Sequence, residues 1–155
     1  MIVFVSLGFT QSNKILIKNV EVEGIERLTA SDIIGISGLR KGNEIDVSDI
    51  QKSIKKLWRS ERFGDIQIYL DEETIEGVSI RIIVKELPVL ESIEFDGNKK
   101  VSSETLKESI DLRVGGLLSD SETFKATESV KAKYYENNYH NVEVELKTLD
   151  GTRTF

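Results

Sequence analysis

An internal repeat constrains the fold of this chain more than any local motif does. The segment 17–24, IKNVEVEG, returns as 90–97, LESIEFDG, with apolar and acidic positions matched and with Gly97 lying 73 residues after Gly24. Further matches join 39–42 to 112–115 at the same spacing and 63–68 to 139–144 at a spacing of 76. The 155 residues therefore divide into two modules of about 75 residues each, near the lower limit for an independent core.

Composition excludes several classes of function. The net charge of -6 disfavours a surface for phosphate backbones, because nucleic-acid modules usually carry a basic face. The absence of cysteine removes disulfides, thiolate chemistry and cysteine-based metal sites. With 39% hydrophobic and 31% charged residues, the chain is typical of an ordinary globular protein.

The first residues differ from the rest of the chain. Residues 1–9, MIVFVSLGF, are apolar and uncharged, with the length of the apolar part of a signal peptide but far too short to span a membrane. We predict residues 1–14 to be a partial signal-peptide-like or disordered segment. An additional edge strand is the alternative.

Periodicity predicts the elements of the first module. Residues 15–23 alternate like a strand, and the capping box at 29–32 predicts a short helix. A second capping pattern at 48–51 predicts a longer helix in which Trp58, matched to Tyr134 in the second copy, is a core residue. Residues 65–70 and 78–85 then alternate as a hairpin. The fold class predicted is α+β, with two tandem βααββ modules, each a three-stranded mixed sheet covered on one face by two helices.

Pro88, the only proline, marks the boundary between the copies. The predicted domains are therefore 15–88 and 89–155. A turn begins at Asp150-Gly151, and only four residues follow it, so the second module lacks its last strand and the natural chain is expected to continue past Phe155.

The chain resembles the polypeptide-transport-associated (POTRA) family. The resemblance lies in the strand order, the 95–98 segment FDGN, the 112–115 segment LRVG and the junction 86–88. The resemblance implies periplasmic repeats of an outer-membrane protein assembly factor, attached to the outer membrane through a C-terminal β-barrel absent from this chain. No enzymatic activity, no metal and no cofactor are expected. The implied partners are unfolded outer-membrane proteins and accessory proteins of an assembly complex. The POTRA region of a two-partner secretion transporter is an alternative.

The resemblance also implies that the strand after the long helix is a sheet edge, where an extended client can add a strand through its backbone. The candidate client-binding residues are Asp65, Ile66, Gln67, Ile68, Tyr69 and Leu70 in the first module and Asn141, Val142, Glu143, Val144, Glu145 and Leu146 in the second.

Other motifs support weaker hypotheses. His140, the only histidine, is expected in a solvent-facing turn rather than as a general base. The acidic run from Asp71 to Glu76 lacks the spacing of a calcium loop and is expected to be a solvated turn. The 35–38 segment GISG could be the GXXG loop of a KH-like nucleic-acid-binding module, but the second copy lacks those glycines, so no nucleic acid is expected.

Overall fold

A computed structural model describes residues 14–145, 147–149 and 152–154. The chain forms two compact units whose boundary lies between Glu86 and Leu87. Within the described residues, the search for a helix long and apolar enough to cross a membrane finds none. The predicted segment 1–14 lies outside the described residues except for Lys14.

The first unit is a mixed sheet covered by two helices. Its elements in chain order are β1 (Ile15–Glu23), α1 (Ala30–Ser37), β2 (Glu44–Ile45), α2 (Val47–Arg59), β3 (Phe63–Thr74) and β4 (Gly77–Glu86). The strand order is β2-β1-β4-β3, in which β1 runs parallel to β4 and β3 runs antiparallel to it. The predicted α+β class is confirmed, but this sheet has four strands rather than three.

The additional strand, β2, is too short for sequence periodicity to show. Its two residues pair with the start of β1 after a turn at Gly42, whose φ of 87° suits glycine. The backbone N–H of Gly42 donates to the Ile17 carbonyl, and the N–H of Ile17 donates to the Asn43 carbonyl, both at 2.8 Å. Alternation over four or more residues is the usual strand signal, so a two-residue strand gives none.

Both helices begin with a capping box. The predicted box at Thr29 and Asp32 is confirmed for α1. For α2 the prediction was wrong, because the cap is Asp46: its carboxylate accepts from the N–H of Asp49 at 3.0 Å, and the Asp49 carboxylate accepts in return at 3.2 Å. The helix therefore starts at Val47, before the predicted Ser48–Gln51 pattern.

The core of the first unit lies between the sheet and the helices. α1 packs on β1, and α2 packs on β3. The fully buried residues include Ile17, Ile33, Leu57, Ile80 and Ile82. The prediction that Trp58 is a core residue was wrong: Leu57 takes the core position, and Trp58 is 46% exposed.

The second unit repeats the first locally. It contains α3 (Ser103–Ser109), α4 (Asp120–Glu136), β5 (Lys147–Leu149) and β6 (Thr152–Thr154). The N–H of Leu90 donates to the Gly116 carbonyl at 2.8 Å, and the N–H of Gly115 donates to the Leu90 carbonyl at 2.7 Å. These two bonds are the counterparts, 73 residues on, of those between Ile17, Asn43 and Gly42. A core of Leu106, Val130 and Tyr134 forms beneath them.

The three-stranded sheet predicted for the second unit is not found in its described residues. The segments 90–97 and 141–145 have no strand ladder, and β5 pairs with β6 alone. The topology of the first unit explains this difference, because β1 and β3 both pair with the central strand β4 and not with each other. Among the described residues of the second unit, only the short β6 follows β5, and it pairs with β5 alone.

Candidate functional site

β3 is an open edge of the first sheet, as predicted. Among the described residues it pairs with β4 alone, so one side of its backbone has no strand partner. The predicted client-binding residues 65–70 all lie on this strand. An exposed edge of this kind is a template for another extended chain.

The direction of each backbone N–H on this edge follows from Gly24. A Cβ atom at Gly24 would collide with the carbonyl oxygen of Val84, so that carbonyl points toward β1 and away from β3. Val84 is the antiparallel partner of Ile66. In such a pair the backbone N–H and C=O groups of both residues either point toward the partner strand or both point away from it. The N–H and C=O groups of Ile66, Ile68 and Leu70 therefore point outward, while those of Asp65, Gln67 and Tyr69 bond to β4.

Two irregularities limit the usable length of the edge. The register of β3 against β4 shifts between Phe63 and Asp65 and again between Leu70 and Glu73. Bulges twist a strand and interrupt regular pairing. The regular part of the edge is therefore 65–70, the range predicted from the sequence.

Polar side chains on the solvent face of the edge are held in one arrangement. The Gln67 amide donates to the Asp65 carboxylate at 2.8 Å, and the Tyr69 hydroxyl donates to the Gln67 amide oxygen at 2.7 Å. Arg81 binds Asp71 through two bonds of 2.9 Å, and its guanidinium carbon lies 5.5 Å from the centre of the Tyr69 ring. The hydrogen bond from Arg81 to Asp71 raises the pKa of Arg81. These bonds link polar side chains along the solvent face of the edge.

The opposite side of the edge is apolar and increasingly exposed toward the hairpin. Ile66 is buried, Ile68 is partly buried, and Leu70 is 53% exposed. These side chains lie on the helix-covered face, so a strand added beside them would have one apolar and one polar neighbour surface. The edge can bind an extended segment through its backbone.

The second predicted edge, 141–146, is not a strand in the described residues, and Leu146 lies outside them. Exposure still alternates from Asn141 to Glu145, with Val142 and Val144 packed on the second core. The segment therefore has the side-chain alternation of an edge strand without the ladder. Client binding there remains a prediction.

β1 provides a second open edge, which sequence reasoning did not assign to a particular strand. After Ile17, β1 pairs only with β4 among the described residues, since β2 covers just Ile15 and Leu16. No sequence pattern distinguishes an edge strand flanked by a two-residue strand from a central one. The sheet order alone reveals it.

The alternative motifs have structural explanations. Gly35 lies inside α1 and Gly38 is its C-cap with a φ of 80°, so the GXXG segment is not a loop of the KH type. His140 is exposed in a turn, 5.9 Å from the Tyr135 ring, as expected. The search for groups of metal-binding side chains among the described residues finds none.

Comparison with known proteins identifies the family of both modules. The POTRA family model, described as a surface antigen variable number repeat, matches residues 15–87 and again 88–154. The outer membrane protein assembly factor BamA of Nitratidesulfovibrio vulgaris is 26% identical over 136 residues, covering 88% of this chain and 17% of that protein. BamA of Buchnera aphidicola is 22% identical over 136 residues, with 86% and 21% covered. The chain thus spans about a fifth of the length of these relatives.

Solved structures show the same fold. The N-terminal domain of Omp85 from Thermosynechococcus elongatus superposes with a TM-score of 0.55 at 24% identity, covering 91% of this chain and 61% of that one. POTRA1-2 of the periplasmic domain of Omp85 from Anabaena superposes with a TM-score of 0.53 at 21% identity, covering 92% and 94%.

Proposed function

Because the chain belongs to the POTRA family, we propose that it is a periplasmic part of an outer-membrane protein assembly factor. In this proposal it binds unfolded β-barrel proteins, or accessory proteins of the assembly complex, by strand addition to β3. The role is that of a non-catalytic binding module. The observation that carries the proposal is the regular, unpaired edge at 65–70, whose outward N–H and C=O groups belong to Ile66, Ile68 and Leu70.

Backbone bonding explains how one edge can serve many clients. Each intermolecular hydrogen bond contributes about 0.5 to 1.5 kcal/mol net, and ordering an unfolded client opposes part of that gain. Three outward residues can form only a few such bonds, so binding is expected to be weak, with a Kd on the order of micromolar to millimolar. Weak binding with little dependence on sequence suits a factor that must release its clients to a membrane.

Proline substitutions on neighbouring residues test the proposal. Proline removes an N–H, so its effect depends on which way that N–H points. Tyr69→Pro deletes a ladder bond to β4 and should unfold or strongly destabilise the first module. Leu70→Pro deletes an outward donor from a half-exposed residue and should leave the module folded, as checked by circular dichroism.

The binding measurement uses a peptide copied from a transmembrane strand of an outer-membrane protein, followed by amide chemical shifts. Parent protein should show shifts concentrated at 65–70, and Leu70→Pro should weaken the Kd about fivefold to tenfold through the lost bond. Ile68→Pro repeats the test at the second outward position. If folded Leu70→Pro binds the peptide as tightly as the parent does, strand addition at β3 is wrong.

A further inference from the structure

The outer side of the long helix α2 carries a stripe of cations. Residues 50–60 contain four lysine or arginine residues and no aspartate or glutamate, in a chain whose net charge is -6. Steps of three and four residues place these cations near one another on the helix surface, and all of them are exposed. We call them the α2 stripe: Lys52, Lys55, Lys56 and Arg59.

Most of the charge on the α2 stripe is not neutralised by a neighbour. Lys52 binds the Asp49 carboxylate at 3.0 Å. Within the part of the chain that the structure describes, Lys55, Lys56 and Arg59 form no ion pair. The stripe therefore presents uncompensated positive charge to solvent.

The second module shows that the fold does not require these cations. The buried residues Leu57 and Tyr134 lie 77 residues apart (134 minus 57), which sets the register between α2 and α4. The α4 residues equivalent to the stripe are Ser129, Ala132, Lys133 and Glu136. On α4, Lys131 and Lys133 are each paired with a glutamate at 2.9 Å. A helix in this position thus folds with interleaved charges, so the fold alone does not explain the α2 stripe.

The open face of the first sheet, on the opposite side of the module, is acidic. The helices cover the face formed by the buried residues of β4, so the alternate side chains of the three long strands point the other way. Those side chains include four acids against two cations: Glu21, Glu23, Asp65 and Asp71 against Arg81 and Lys85. The first module is therefore polarised, with positive charge outside the helices and negative charge outside the sheet.

This polarisation favours one orientation of the module on an anionic surface. An α-helix with its side chains is about 10 to 12 Å across, and the sheet lies beyond it. That thickness exceeds the Debye length of about 8 Å at physiological ionic strength, so the exposed acids on the open sheet face are largely screened from a surface that contacts the α2 stripe. An anionic surface would attract the helix side and repel the sheet side.

Trp58 adds an amphipathic side chain beside the stripe. It lies three residues after Lys55 and directly before Arg59, and it is 46% exposed. Tryptophan is enriched at membrane–water interfaces, where its ring sits at the level of the lipid headgroups. A basic helix face with an exposed tryptophan is typical of helices that lie on an anionic bilayer.

We propose that the α2 stripe and Trp58 bind the surface of a bilayer that contains anionic lipids. The cations would contact lipid phosphates, and the Trp58 ring would enter the headgroup layer. The stripe lies on the convex outer side of a helix, which suits an extended surface better than it suits a ligand that needs a cleft. The inference goes beyond the proposed function and does not depend on strand addition at β3, since it uses the helix layer and not the sheet edge.

Vesicle binding by the whole chain tests the inference. The probes are vesicles of equal parts phosphatidylglycerol and phosphatidylcholine, with vesicles of phosphatidylcholine alone as the reference. The protein should sediment with the anionic vesicles only, and added salt should release it. Trp58, the only tryptophan of the chain, should shift its emission to shorter wavelength on the anionic vesicles.

Neutral substitutions separate the stripe from the net charge. Each cation near an anionic surface contributes about fivefold in affinity, so Lys55→Gln combined with Arg59→Gln should weaken vesicle binding about twentyfold. The matched control is Lys131→Gln combined with Lys133→Gln, which removes the same charge from α4 and should bind as the parent does. Circular dichroism checks folding, which the exposed positions 55 and 59 should preserve.

Three outcomes would overturn the inference. Failure to sediment with the anionic vesicles would mean that the chain has no membrane-binding surface. Equal weakening by the stripe variant and the α4 variant would mean that net charge alone is responsible. Binding to soluble polyglutamate without binding to vesicles would identify an acidic polypeptide as the partner instead. Leu70→Pro, which tests strand addition, should bind the vesicles as the parent does, so the two proposals can fail separately.

Discussion

At the residue scale, one buried carboxylate holds the end of β4 to the turn before α1. The Glu86 side chain is 2% exposed. Its Oε1 accepts from the backbone N–H groups of Glu26, Arg27 and Leu28 at 2.8, 3.1 and 3.0 Å, and Arg27 Nε donates to Oε2 at 3.2 Å. Burial alone would raise the pKa of Glu86, but these donors together lower it to about 2.

This carboxylate predicts a specific acid sensitivity. The pKa of Glu86 is lower in the fold than the ordinary value of 4.5, so its ionised form stabilises the first module above pH 4.5. That contribution, about 3 kcal/mol at most, should disappear as the pH falls from 4.5 toward 2. Glu86→Gln should therefore lower the free energy of unfolding at pH 7 by about 2 to 3 kcal/mol and flatten its pH dependence. Urea melts from pH 7 to pH 2.5 measure both effects, and a parent-like pH slope in the variant would contradict the assignment.

A strained turn residue offers a way to stabilise the same module. Glu61 follows α2 with a φ of 54°, a left-handed conformation that suits glycine or asparagine. The second module places Asn138 at the equivalent turn, with a φ of 64°. Glu61→Asn should raise the free energy of unfolding by about 0.5 to 1 kcal/mol in a urea melt. Asn138→Glu should lower it in the second module, and a gain or no change there would refute the argument.

The residue scale also shows the limit of sequence reasoning. Trp58 and Leu57 are neighbours on an apolar helix face, and hydrophobicity favours either one for the core. The strands after the long helices repeat at a spacing of 76 residues, and applying that spacing to the helices paired Trp58 with Tyr134. The buried positions of the helices repeat at 77 residues instead, which pairs Leu57 with Tyr134. A one-residue difference rotates a helix position by about 100°, enough to exchange a core residue for an exposed one.

At the element scale, two glycines have opposite structural requirements. Gly24 ends β1 with a φ of 78°, and any Cβ there would meet the Val84 carbonyl. Gly35 lies within α1, and a Cβ there would meet no described atom within 4 Å apart from its chain neighbours and the backbone of its own helix. The equivalent residue of α3, 73 positions later, is Glu108, so the fold does not require glycine at that helix position.

These environments predict that alanine at the two positions changes the free energy of unfolding in opposite directions. Gly35→Ala should raise the free energy of unfolding by about 0.5 to 1 kcal/mol, because alanine restricts the unfolded chain and favours the helix. Gly24→Ala should lower it by more than that, since both the backbone conformation and the space exclude a side chain. Thermal melts followed at a helix-sensitive wavelength compare the two variants. A destabilised Gly35→Ala would indicate a contact that the structure does not contain.

Most elements of the first module could be predicted from sequence, because alternation and capping boxes are local signals. The edge at 65–70 also follows from the strand order that the family resemblance implies. The outward direction of Ile66, Ile68 and Leu70 could not be predicted, since the sequence fixes which face a side chain occupies but not which neighbour its backbone faces. That direction depends on the approach of Val84 to Gly24, a contact between distant strands.

At the scale of the whole molecule, the two modules share their turns and buried helix positions but differ in their sheets. Three features recur in both modules: the turn that pairs with the start of β1 or its equivalent, the positive φ at Gly42 and Gly115, and the buried helix positions. The central strand does not recur among the described residues, and without it 90–97 and 141–145 have no ladder. Sequence reasoning predicted a missing last strand but not that the other two would lose their pairing, because it did not establish that the last strand is the central one.

The absence of a central ladder predicts unequal stability within the chain. Amides of β1 and β4 in the first module form ladder bonds over a continuous core, so they should exchange with solvent only through large openings. Amides in 92–94 and 141–144 lie outside any strand ladder of the described residues and should exchange on the order of a hundredfold faster or more. Hydrogen exchange read residue by residue measures this difference, with light scattering to establish that the protein is monomeric. Amides of α4 are the internal control, because that helix packs on the second core and should be protected if the module is folded. Protection of 92–94 equal to that of β1 in a monomer would mean that this segment has found a ladder partner within the chain, and the role assigned to the central strand would be wrong.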